Sequence, residues 1–221
     1  MKFEPKEMTD TTQIEEMLYG RCPSILDTLL LDRTTGRNIF WATDSYVGLG
    51  SSYQADKAIL PNLLSRNGVR IVVPRSKMTK EEQAYRTRIS AKVFIPAEVI
   101  EYMSENTDKE LKNNGFTNWQ DFVGASVIEI TCGMAPFLVT RENPFSGEYI
   151  EVNNRIGLLD RKLALIDQNT SSEIEWNRQV RRAYKSTYGY EFQGNNLFLA
   201  RENLLFTLSN GWFTSGTMGQ P

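Results

Sequence analysis

Two acids and a small-residue turn are the residues of this chain whose types and spacing could do chemistry. Glu129 lies in an apolar run, Ser126-Val127-Ile128-Glu129-Ile130, followed at once by Thr131-Cys132-Gly133-Met134-Ala135-Pro136. The second acid, Glu191, closes the short run Tyr188-Gly189-Tyr190-Glu191. In open α/β sheets ligands sit beyond the carboxyl ends of the strands, where small residues let the backbone approach them. Glu129 at such an end could hold a ligand ammonium, and the backbone from Thr131 through Cys132 to Gly133 could line its carboxylate and linker. An acid ending the next strand is placed to accept bonds from both hydroxyls of a ribose. Glu191 fits that role, and Phe192 beside it could pack on an adenine. A competing acid, Asp160, stands 27 residues after Gly133, flanked by Arg161 and Lys162 in an amphipathic helical pattern. It reads as a helix-surface ion-pair residue. No G-x-G-x-x-G lies near Gly133, so the turn is not a dinucleotide fingerprint. Taken alone, Cys132-Gly133 is equally well a plain tight turn between a strand and a helix.

The elements that must position these residues follow from periodicity. An amphipathic helix surrounds Ile14, Met17 and Leu18, and another follows Pro23 with Ile25, Leu26, Leu29 and Leu30 inward. Asn38–Ala42 and Val69–Val73 read as strands, the second closed by Pro74, and the charged stretch from Lys77 to Ser90 as a helix. Pro96 begins a helix with Val99, Ile100 and Met103 on one face. After the strand at 126–130, Phe137-Leu138-Val139 starts a short helix that Asn143-Pro144 must stop. A long amphipathic helix near Arg155 to Ile166 precedes the strand at 188–191, and a last helix runs through Leu197, Ala200, Leu204 and Leu208. Strand, small-residue turn, helix and a strand ending in an acid describe the first half of a nucleotide-binding α/β sheet.

Composition narrows the chemistry. The chain has 221 residues, no His, two Cys, a net charge of −2, and is 40% hydrophobic and 24% charged, which is ordinary globular material. That length makes one domain, or one domain with an appendage. Without imidazole, Ser-His-Asp and Cys-His catalysis and His-ligated metal are excluded. Cys22 and Cys132 are 110 residues apart and suggest neither a disulfide scaffold nor a thiolate metal site. Apolar stretches fall short of a membrane span and Met1–Pro5 opens no signal peptide, so the expectation is a cytoplasmic chain without membrane or metal. The charge is uneven. Between Arg70 and Lys92 seven basic residues face only Glu81 and Glu82, an excess of five, and the remainder is therefore −7. Arg75, Lys77, Arg86 and Arg88 of that segment are candidates for neutralising phosphates. A second cluster, Arg178, Arg181, Arg182 and Lys185, is interleaved with Trp176 and Tyr184. From charge alone a solvated helix face remains the better reading.

Three runs in order resemble a known family. They are Val93-Phe94-Ile95-Pro96, then Ile128-Glu129-Ile130-Thr131-Cys132-Gly133, then Tyr188-Gly189-Tyr190-Glu191. This order is similar to the opening of N6-adenine DNA methyltransferases of bacterial restriction-modification systems. Arg86-Thr87-Arg88, Ile130–Pro136, Ser186–Gly194 and Arg201-Glu202-Asn203-Leu204 resemble more specifically the proteins called restriction endonuclease subunit M. The resemblance spans about Ile25 to Leu208. It implies a Rossmann-like α/β fold binding S-adenosylmethionine, with Phe94 and Pro96 bordering the methionine end, Glu129 to Gly133 forming the cofactor loop, and Glu191 holding the ribose. It also implies double-stranded DNA as the partner. Methyl transfer from a sulfonium needs no imidazole, because the cofactor supplies the leaving group and the protein orients it.

The sequence departs from that pattern in three places. Ile95 stands where Thr is expected and Met134 where a polar or acidic residue is expected. The third departure is larger: no [DNS]-P-P-[YFW] tetrapeptide, which would hold the flipped adenine, occurs in the chain. Asn143-Pro144-Phe145 comes before the ribose acid and reads as the turn that stops a helix. Only 30 residues follow Glu191. The expectation is thus an incomplete methyltransferase sheet over 91–208, with a helical and basic extension at 1–90 and a flexible tail at 209–221. Such a sheet would be the product of a truncated gene, a fragment, or one half of a split enzyme, with a C-terminal half polypeptide or a cognate restriction endonuclease as candidate partners. The alternatives are a non-catalytic DNA-binding or assembly module with a degenerate methyltransferase fold, and an enzyme using another adenosyl nucleotide.

Overall fold

The computed structural model describes residues 22, 24–81, 83–84, 95–143 and 146–209. It is a mixed helix-and-strand structure with short sheets. Phe94, Arg86 and Arg88, the helix expected around Ile14 and the tail lie outside the described residues.

The N-terminal part begins with α1 (Ser24–Leu30), which turns into a hairpin of β1 (Leu31–Asp32) and β2 (Arg37–Asn38). Asp32 stabilises the turn, accepting from Thr34 N at 2.9 Å and from Thr35 Oγ1 at 2.7 Å. The strand expected over Asn38–Ala42 survives only as Arg37–Asn38 plus an isolated bridge between Phe40 and Ala58. The chain leaves the extended conformation at Ala42 (φ 48°), and Trp41 is buried, its Nε1 donating to Ser52 O at 3.2 Å. Tyr46 and Tyr53 flank that indole, with ring centroids 4.8 and 5.3 Å away. The strand expected over Val69–Val73 is likewise short. β3 (Ser65–Arg66) and β4 (Val69–Arg70) form a hairpin through Asn67-Gly68, both at positive φ (52° and 76°), as a two-residue Asn-Gly loop requires. Residues 75–77 form a 3-10 turn, and 80–81 and 83–84 are helical.

In the C-terminal part, Pro96 stands at the N-cap of α2 (Ala97–Asn113), of which Ile100 and Ser104 are buried. The short α3 (Trp119–Gly124) is capped by Asn118, whose side chain accepts from Asp121 N at 2.8 Å. β5 (Val127–Ile130) follows, and then a long connection, α4 (Leu158–Asn169), α5 (Glu173–Lys185) and β6 (Thr187–Tyr190). β5 and β6 pair in parallel, with Val127 opposite Thr187, Glu129 opposite Gly189 and Ile130 opposite Tyr190. The final helix is α6 (Gly194–Ser209). Val123, Leu159, Leu163, Ile166, Val180 and Ala183 from the three preceding helices make the core beside the strands. The alternate residues Ile128, Ile130, Tyr188 and Tyr190 are exposed.

Two expectations are corrected in the long connection. Residues 136–138 form a turn where a helix is expected to start at Phe137, with Leu138 N and Val139 N both donating to Ala135 O. Asn143 therefore stops no helix; it lies inside a hairpin closed by the Glu142–Tyr149 bridge, and Gly147 N donates to its carbonyl at 2.8 Å. The amphipathic helix begins at Leu158 rather than near Arg155, because Ile156 N and Gly157 N donate to Thr140 Oγ1 instead of entering the helix.

One cation ties the amino ends of β5 and β6 together. Lys162 is fully buried, and its Nζ donates to Ala125 O at 2.7 Å, Ser186 Oγ at 2.8 Å and Thr187 Oγ1 at 3.3 Å. Burial, together with the nearby Arg182 guanidinium, pushes its pKa down to about 8. The two halves of the chain meet on α6. Phe198 and Leu199 join the Trp41 core, while Ala200 joins the core beside the strands. Arg201 Nη1 donates to Leu29 O at 2.7 Å and Leu31 O at 3.1 Å, and Arg70 forms an ion pair with the buried Glu202.

Candidate functional site

Parallel pairing puts the ends of β5 and β6 side by side, and with them the two acids. Pleating sends Val127 and Glu129 to the covered face of β5. Opposite Glu129 stands Gly189, where a Cβ would come within 3.0 Å of Cys132 Sγ. The missing side chain makes room for the thiol. The loop then turns through three left-handed residues, Thr131 (φ 61°), Gly133 (φ 57°) and Ala135 (φ 65°). For a β-branched residue such as Thr131 this conformation is strained, and strained backbone of this kind concentrates at binding sites.

Glu191 holds the loop in place. Its Oε2 accepts from Gly133 N and its Oε1 from Gln193 N, both at 2.8 Å. Cys132 N donates to Tyr190 O at 2.7 Å, extending the ladder by one residue. Glu129 is in a different state. Its Oε2 is buried and has no hydrogen-bond partner. Burial and the neighbouring Glu191 charge push its pKa up to about 8, against a hydrogen bond from the Phe137 backbone that favours the charged form. The same surroundings push the Cys132 thiol up to about 12, so it is a protonated packing group rather than a nucleophile. Two carboxylates thus face one end of the sheet. A ligand ammonium beside Glu129 would supply a donor to its buried oxygen.

The other residues singled out from sequence fall elsewhere. Phe192 follows Glu191 and is 84% exposed. Pro96 is exposed at the start of α2, Arg75 lies on the 3-10 turn at 75–77, and Lys77 ends that turn on the surface.

Asp160 is not a surface residue. It is buried, and its Oδ2 accepts from Thr140 N at 2.7 Å and Thr140 Oγ1 at 3.1 Å, fastening the chain beyond the loop to the first turn of α4. Burial pushes its pKa up to about 6, although Thr140 and the Arg155 charge oppose the shift. Its neighbours explain the misreading: Arg161 reaches Asp108 in an ion pair on α2, whereas Asp160 and Lys162 point inward.

A cavity of about 370 Å³ opens beyond the loop, against Ile100, Met134, Pro136, Arg141 and Asn203. Asn203 links its walls, donating to Met134 O at 3.0 Å and accepting from Arg141 Nη1 at 3.1 Å. Glu129, Gly133 and Glu191 do not line it, so cavity and paired acids are distinct places. Nothing in the sequence spacing joins Arg141 to Asn203, which are 62 residues apart. Among the described residues no cluster of acids and thiols could hold a metal ion, and no helix is long and apolar enough to cross a membrane.

Compared with family models, curated proteins and solved structures, the chain matches none of them. The site must be judged on its geometry.

Proposed function

We propose that the chain binds S-adenosylmethionine at the carboxyl end of β5 and β6, as the cofactor-binding part of an N6-adenine DNA methyltransferase with a Rossmann-like sheet. One observation carries the reading: parallel strands bring Glu129 and Glu191 to the same end, on either side of the tight Gly133 loop. Ligands of parallel α/β sheets lie at that end.

The residues divide the cofactor between them. Glu129, with its buried Oε2 lacking a donor, takes the ammonium. The Thr131–Gly133 backbone, with Phe94 and Pro96, borders the methionine portion, while the Glu191 oxygens retain lone pairs for the ribose hydroxyls beside their bonds to Gly133 N and Gln193 N. When bound, the cofactor supplies an activated methyl on a sulfonium, and the protein's task is to orient it and exclude water. Arg75, Lys77, Arg86 and Arg88 would neutralise phosphates of double-stranded DNA. No residue of the chain is assigned to the target base, since the tetrapeptide that would hold it is absent from the 221 residues.

Calorimetric titration with S-adenosylmethionine tests the reading. One equivalent binds wild-type protein, and Glu191→Ala weakens binding by at least about a hundredfold, because it removes the ribose acceptor and the Gly133 anchor together. Folded wild-type protein that evolves no binding heat contradicts the reading.

A further inference from the structure

Parallel sheets are ordinarily buried on both faces, because crossover helices lie above and below them. In the β5–β6 pair α3, α4 and α5 pack on one face, with Val123, Leu159, Leu163, Val180 and Ala183 as the core there. Pleating sends Ile128, Ile130, Tyr188 and Tyr190 to the other face, where they are 58%, 72%, 48% and 62% exposed. The register sets Ile128 beside Tyr188 and Ile130 beside Tyr190, so the four side chains form one continuous two-by-two patch. None of them is charged, and the acid within the strands, Glu129, belongs to the covered face.

Single exposed apolar residues are ordinary, whereas a contiguous patch marks a contact surface. At about 200 Å² for a fully open side chain of this size, the four leave on the order of 500 Å² to water. That exceeds half of the about 800 Å² that each partner gives to a standard interface, whose apolar core is framed by a polar rim. The patch is also complementary to itself. Its two isoleucines lie on β5 and its two tyrosines on β6. A two-fold axis running along the strands lays the β5 row of one copy on the β6 row of the other, so each ring meets an aliphatic side chain and no charge is buried. We propose that the chain is a homodimer closed by these faces, the two sheets packing on each other as the layers of a sandwich do. The dimer face lies on the side of the sheet away from Glu129 and stands without the ligand reading.

Sedimentation velocity of the full chain tests it, with Ile130→Lys, Tyr190→Lys and, as a control, Ile174→Lys. Ile174 is 85% exposed but sits on α5, in the layer on the opposite side of the sheet. Wild type sediments as a dimer at about 50 μM and dissociates on dilution. Each face variant raises the dissociation constant at least about a hundredfold, because it places two ammonium groups in the desolvated contact. Ile174→Lys leaves the constant within about twofold of wild type. Both face variants keep the far-ultraviolet circular dichroism of wild type, since the substituted side chains are open in the single chain. The wild-type unfolding temperature rises with protein concentration and theirs does not. Wild type that remains at single-chain mass at about 100 μM overturns the proposal, whether another polypeptide covers the face or none does. A dimer that survives both face variants, or that Ile174→Lys dissociates equally, has its interface elsewhere and overturns the proposal too.

Discussion

The two ends of the β5–β6 pair contrast in how they handle buried charge. At the amino end Lys162 meets three oxygens of Ala125, Ser186 and Thr187 within 3.3 Å. At the carboxyl end two acids, Glu129 and Glu191, share a loop, and one buried Glu129 oxygen has no donor. Both groups are pushed to about 8, one down and the other up, each by burial first and a neighbouring like charge second; what differs is their hydrogen bonding. Lys162 is costly to bury but its hydrogen bonds are made within the chain. Glu129 is costly to ionise because it is buried beside the Glu191 charge, and its Oε2 has no donor. An end that satisfies itself is architecture, whereas an end that lacks a donor is where a ligand gains most.

The contrast is most easily broken at Lys162. Lys162→Met keeps the volume and leaves Ala125 O and the two hydroxyls without their shared donor, which costs about 3 kcal/mol. Urea unfolding measures that loss, and S-adenosylmethionine affinity of the folded variant stays within a few-fold of wild type. A variant as stable as wild type would show that Lys162 does not tie the strands.

Glu129→Gln acts in the opposite direction. The native carboxyl keeps its proton to about 8, while the unfolded chain releases it near the ordinary 4.5. Between those values the native state binds more protons than the unfolded one, so stability falls as pH rises through the window. Gln does not titrate. The variant is therefore as stable as wild type below about pH 4.5 and more stable above about pH 8, by on the order of 5 kcal/mol. Denaturation at the two extremes of pH measures the difference, and an equal effect at both would remove the uncompensated acid from the account. Because the same carboxylate is assigned to the ammonium, the stabilised variant binds S-adenosylmethionine more weakly.

The carboxyl end was legible in the sequence and the amino end was not. Val127–Ile130, the small-residue turn and Tyr188–Glu191 carry local signals: an apolar run, a glycine and an acid in fixed order. Lys162 and Asp160 carry none, because a charged pair beside Arg161 looks like a solvated helix face. Their burial depends on α4 being enclosed by α2, α3 and α5 and by the hairpin after the loop, which is tertiary packing. The N-terminal strands were overextended for a related reason. Val69 to Val73 is β-branched and apolar except at Arg70, but Val69 is 68% exposed and the pairing stops at Arg70. Asn67-Gly68 was the readable signal there, since that dipeptide specifies a two-residue hairpin.

Proton release on binding tests the central claim most directly. At about pH 7 free Glu129 is protonated, and a ligand ammonium seated against it requires the carboxylate. Calorimetry in two buffers of different ionisation enthalpy should therefore show about one proton released per S-adenosylmethionine bound, and none per adenosine, which has no ammonium. Equal proton release for the two ligands, or none for either, would contradict the assignment of Glu129 and with it the distinction between the two ends of the sheet.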